Sequence, residues 1–107
     1  MTKQELEQRR AAYAATIEKH LAAGVEFYVT DGILIDESVE IAPGAVILPG
    51  TILRGATKIG ANSVIGPNAL LENVTVGEHV KFNASQGYNS VIDDGANIGP
   101  FVHVRPD

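Results

Sequence analysis

The stretch "IGANSVIGPNAL", residues 59–70, decides the fold. Ile59-Gly60 returns six residues later as Ile65-Gly66, and Asn62 returns as Asn68. Extending the phase in both directions divides the chain from Ile35 into IDESVE, IAPGAV, ILPGTI, LRGATK, IGANSV and IGPNAL. Each block opens on Ile or Leu, at positions 35, 41, 47, 53, 59 and 65, with Leu71 next. The fifth position of each is small or β-branched: Val39, Ala45, Thr51, Thr57, Ser63 and Ala69. "LENVT" is one residue short, after which the phase resumes with VGEHVK at 76 and FNASQG at 82. A second slip falls around Tyr88 to Val91, and IDDGAN at 92 and IGPFVH at 98 restore the rhythm.

A hexapeptide period of this kind is a signature of a parallel β-helix. One large aliphatic residue per block points inward, and the small residue sits where space is tight. Gly, Pro and Asn turn the corners, because they reach unusual backbone angles cheaply. Three short strands close a coil of about eighteen residues, and coils stack at roughly 4.8 Å. The predicted inner ladders are Ile35–Leu53–Leu71, Ile41–Ile59–Val76 and Ile47–Ile65–Phe82. Asp93-Asp94-Gly95 reads as a turn, since an acidic pair falls far short of the six to eight oxygens calcium takes.

The N-terminal region, residues 1–24, follows different rules. Thr2 and Glu5 have capping-box spacing, Leu6, Tyr13, Ile17 and Leu21 form a narrow apolar stripe, and Gly24 supplies a stop. This predicts a helix over 2–23, packed on its own domain or on a partner subunit. "VEFYV" (25–29) reads as a short strand that, with the helix, covers the front of the solenoid. The predicted architecture is mainly β: an N-terminal α-helix (1–24) followed by a short parallel β-helix of about four coils (25–107).

Composition narrows the function. The chain of 107 residues has a net charge of −5 and no cysteine. The acidic balance argues against nucleic-acid backbones and anionic membranes as partners. Thiol chemistry is excluded, and no apolar run suits a bilayer span or a signal peptide. A cytoplasmic location is the expectation.

Beyond the shared hexapeptides, "KHLAAGV" (19–25) and above all "IGPFVHVRPD" (98–107) carry a narrower likeness. The chain resembles the left-handed β-helix acyltransferases, and within them the first coils of the acetyltransferase domain of the bacterial bifunctional N-acetylglucosamine-1-phosphate uridyltransferase / glucosamine-1-phosphate N-acetyltransferase. The left hand is implied by this resemblance, since parallel crossovers otherwise take the opposite one. The resemblance also implies a homotrimer, acetyl-CoA as acyl donor, and Arg105 as a substrate-binding residue facing the sugar phosphate. No catalytic residue and no metal ligand carries over, because the family's remaining site residues fall in coils beyond these. The β-helix is therefore expected to be truncated relative to the family and inactive alone. Its open C-terminal coil, with Ile92 and Ile98 inside, would be covered by further coils or by a partner. The alternatives are a non-enzymatic trimerisation module and a small sugar-phosphate-binding remnant. Asp93 and Asp107 replace turn glycines of the family, which puts those two turns in question. His79 and His103 occupy polar block positions without an oriented partner in sequence, and His20 lies in the last turn of the helix.

Overall fold

A computed structural model describes residues 1–106. The first element is α1 (Lys3–Ala22), followed by β1 (Glu26–Phe27), β2 (Leu34–Ile35), β3 (Glu40–Ile41), β4 (Val46–Ile47), β5 (Ile52–Arg54), β6 (Lys58–Ile59) and β7 (Val64–Ile65). Then come β8 (Leu70–Glu72), β9 (Thr75–Val76), β10 (Lys81–Phe82), β11 (Gln86–Tyr88), β12 (Val91–Ile92), β13 (Asn97–Ile98) and β14 (His103–Val104). Every third strand pairs in parallel, which makes three sheets: β1-β4-β7-β10-β13, β2-β5-β8-β11-β14 and β3-β6-β9-β12. The result is a short left-handed parallel β-helix behind one helix. Two sheets have five strands and one has four, so the solenoid runs to nearly five turns rather than about four. The additional rung comes from β1, which pairs with β4 in the repeat's own register instead of only covering its front.

The three predicted ladders form. Ile35, Leu53 and Leu71 are register partners, as are Ile41, Ile59 and Val76, and Ile47, Ile65 and Phe82. All nine side chains are buried. Phe27 and Ile98 extend the third ladder at its two ends, and Ile92 extends the second. At the C-terminal end Ile98 and Val104 are only half-buried against the core.

The second slip begins earlier than its predicted place. Gly87, not a residue beyond it, follows Leu71 in the first ladder, only five positions after Phe82. A glycine offers no hydrophobic signal, so the inward position was invisible to a pattern of aliphatic residues. The large Phe82 and the missing side chain at 87 are adjacent: a Cβ on Gly87 would lie 3.7 Å from Phe82 Cζ.

Two of the fifth-position residues use their hydroxyls inside the coils. Thr57 Oγ1 donates to the Arg54 carbonyl at 2.7 Å and accepts from Val74 N–H at 3.3 Å. Ser63 Oγ donates to the Gly77 carbonyl at 2.8 Å and accepts from Val80 N–H at 3.0 Å. Through these hydroxyls the buried Val74 and Val80 amides find acceptors. At the corners, Asn62, Asn68 and Asn73 adopt left-handed φ values of 60°, 56° and 54°, a region asparagine tolerates better than most residues. The turn at Asp93 forms: Ala96 N–H donates to the Asp93 carbonyl at 3.3 Å, and Gly95 takes the left-handed angle. Asp107 lies outside the described residues.

Thr2 caps the helix, accepting from Glu5 N–H at 3.1 Å, as the capping box predicts. The docking stripe differs from the expected one. Leu6 and Leu21 are exposed, while Thr16 and His20 are buried and Tyr13 and Ile17 are half-buried. Positions 13, 16, 17 and 20 share one helical face. The helix meets the solenoid along β2, where Tyr13 Oη donates to Asp36 Oδ1 at 3.3 Å. A leucine at either end of the stripe therefore overhangs the narrow coil it sits on.

Candidate functional site

Arg105 follows Val104, the last inward residue of the first ladder, so its place is set by the pairing of β14 with β11. The outward column through Arg54 and Glu72 continues at Tyr88; counting that register one residue past the end of β14 puts Arg105 next in line. Within this column Arg54 Nε lies 3.7 Å from Glu72 Oε1. Asp36, at its start, accepts from Gly55 N–H at 3.2 Å as well as from Tyr13. Arg105 is exposed, and among the described residues it makes no hydrogen bond and no ion pair. An accessible guanidinium forks readily onto phosphate or carboxylate oxygens.

The histidines sit on three separate elements. His79 occupies a left-handed corner with φ 56° and is exposed. His103 is exposed on β14, where its ring meets that of Tyr88 edge to face, with centroids 5.4 Å apart. His20 is buried near the end of α1, and its Nε2 has no hydrogen-bond partner among the described residues. Burial, and secondarily the neighbouring Lys19 ammonium, pulls the His20 pKa below its ordinary value. Burial in the helix–coil seam thus favours the neutral form of the His20 ring. Among the described residues no three His, Cys, Asp or Glu side chains gather closely enough to hold a metal ion. Asp94 instead uses its carboxylate on the backbone, accepting from Glu78 N–H at 2.8 Å.

The meeting of Tyr88 with His103 was not foreseen from sequence. Both were visible as residues, but their register depends on Gly87 taking the inward position.

Residues 38–73 match the model of the bacterial transferase hexapeptide, described as six repeats. The chain therefore carries a hexapeptide-repeat segment over these residues. The chain is 40% identical over 88 residues to the Bifunctional protein GlmU of Streptococcus thermophilus, covering 82% of this chain and 19% of that protein. It is likewise 40% identical over 104 residues to the Bifunctional protein GlmU of a Nostoc species, covering 97% of this chain and 22% of that one. The chain thus spans about a fifth of the length of these curated relatives. Among solved structures it is similar to serine acetyltransferase isoform 3 from Entamoeba histolytica in complex with cysteine, with a TM-score of 0.53 and 19% identity. That match covers 89% of this chain and 41% of the other, and supports the fold. None of the described helices is long and apolar enough to cross a membrane.

Proposed function

We propose that these coils are the opening scaffold of an acetyl-CoA-dependent glucosamine-1-phosphate N-acetyltransferase site, on the route to UDP-N-acetylglucosamine. The observation that carries the reading is the 40% identity to GlmU across 97% of the chain, joined to the exposed Arg105 at the end of the last paired rung. In this reading Arg105 binds the sugar phosphate, and the chain assembles as a homotrimer in the cytoplasm. Further coils or a partner chain cover the half-buried Ile98 and Val104.

The chemistry itself lies with residues outside these coils. A general base needs a proton within hydrogen-bond reach and an oriented imidazole or carboxylate. His79 is exposed at its corner, and His103 has an aromatic ring against it. The isolated chain is therefore a scaffold that contributes substrate binding, and no turnover is expected from it.

The test is a thiol-release assay with purified chain, acetyl-CoA and glucosamine-1-phosphate. The proposal predicts CoA release no faster than without protein. Turnover that scales with chain concentration would overturn it.

A further inference from the structure

One guanidinium holds a small phosphate ester poorly, so the surroundings of Arg105 matter. Gly87 pairs with Val104, and Gln86 with His103. Gly87 faces inward, because a Cβ there would stand 2.9 Å from Leu71 Cδ2. Side chains alternate along a strand, so Gln86 and Tyr88 leave the outer face together, and His103 and Arg105 leave it one rung on. Four polar side chains from two neighbouring strands thereby share one patch. Two contacts agree with this: the Tyr88 and His103 rings meet at 76°, and Tyr88 Oη lies 3.3 Å from Gln86 Oε1. A shallow groove lined by Ser85, Gln86, Phe101, Val102 and His103 opens on the same side. The Phe101 ring, 91% exposed, forms part of its wall.

We propose that His103 is a second phosphate-facing donor beside Arg105, with Tyr88 as its positioning residue. This rests on the reading of Arg105 above and extends it to a two-pronged subsite for a sugar phosphate. His103 and Arg105 are two residues apart on one strand face, about 6.6 Å at Cα, so both can reach the oxygens of one phosphoryl group. The edge of Tyr88 against the imidazole limits the rotamers His103 must give up on binding, which favours affinity. The exposed faces of Phe101 and Tyr88 offer apolar area to the ring of a sugar, which inorganic phosphate lacks.

Proton NMR of the three imidazole rings tests this while glucosamine-1-phosphate, or inorganic phosphate, is titrated to tens of millimolar. The expected result is a saturable shift of the His103 signal with His79 unmoved, and tighter binding of the sugar phosphate than of phosphate. His103→Gln should weaken binding about tenfold. His103→Lys should restore it, and Tyr88→Leu should weaken it less than His103→Gln while broadening the His103 signal. His103 and Arg105 are exposed and Tyr88 is half-buried on the outer face, and an unchanged circular-dichroism spectrum checks that each variant keeps the fold. Binding that disappears in Arg105→Gln but is unchanged in His103→Gln would overturn this inference and leave the Arg105 reading intact. A chain with no saturable response to either ligand would overturn both.

Discussion

Gly87 lies beside Leu71 in the same inward ladder, so close that a Cβ on it would sit 2.9 Å from Leu71 Cδ2. This contact fixes which residues of the last two rungs face solvent. Gly87→Ala should destabilise the chain by about 1–3 kcal/mol, the usual cost of overpacking a filled core. Adding Leu71→Val, which removes the clashing methyl, should make the double variant more stable than the sum of the two single changes predicts. Urea unfolding of the four-member cycle measures the coupling. Strict additivity would mean that residue 87 does not face Leu71.

The buried hydroxyls should differ in worth according to their geometry. Thr57 bridges two backbone groups at 2.7 and 3.3 Å, whereas Thr51 Oγ1 reaches the Ile65 carbonyl at only 3.5 Å. Thr57→Val should cost about 1–3 kcal/mol, because it leaves the buried Val74 amide without its hydroxyl acceptor. Thr51→Val should cost less than about 1 kcal/mol, since so long a contact contributes little. Equal losses in chemical denaturation would contradict the assignment.

Asn73 combines a left-handed φ of 54° with two side-chain contacts, accepting from Ala56 N–H at 2.8 Å and donating to Asn89 Oδ1 at 3.2 Å. Asn73→Ala should lose about 1–2 kcal/mol more than Asn73→Gly loses, because alanine adds the left-handed penalty to the missing hydrogen bonds. Thermal unfolding of the pair separates the backbone contribution from the side-chain one.

His20 gives the seam between helix and coil a pH dependence. Burial first, and Lys19 second, lower its pKa below the ordinary 6.5. The unfolded chain therefore binds this proton more readily than the folded one. The stabilising contribution is whole above pH 6.5 and is lost as the pH falls from there through the folded value. His20→Gln should flatten this part of the stability profile between neutral pH and the onset of carboxylate titration. Denaturation midpoints of both proteins across that range provide the check, and parallel profiles would contradict the burial of the ring.

Much of the architecture was legible because hydrophobic residues repeat with a period that a β-helix needs. Ile35, Ile41 and Ile47 opened three ladders whose partners followed by counting. What stayed hidden depended on residues that carry no hydrophobic signal. Gly87 occupies an inward position without an aliphatic side chain, and its glycine identity is understandable only beside Leu71 and Phe82. Likewise, Thr16 and His20 bury where Leu6 and Leu21 were expected to, because the helix rests across one short strand rather than along a broad face. At the candidate site, Arg105 was visible through the motif around it. The Tyr88–His103 contact was not, since it joins two strands whose register hinges on the same glycine.

That register is the central claim, because it brings Gln86, Tyr88, His103 and Arg105 onto one outer face. A nuclear Overhauser spectrum of the folded chain tests it directly. The structure predicts cross-peaks from the Leu71 methyls to the Gly87 α-protons and to no proton of the Tyr88 ring, together with a Tyr88–His103 ring contact. Cross-peaks from the Leu71 methyls to the Tyr88 ring, with none to Gly87, would place Tyr88 inside the coil and contradict the account.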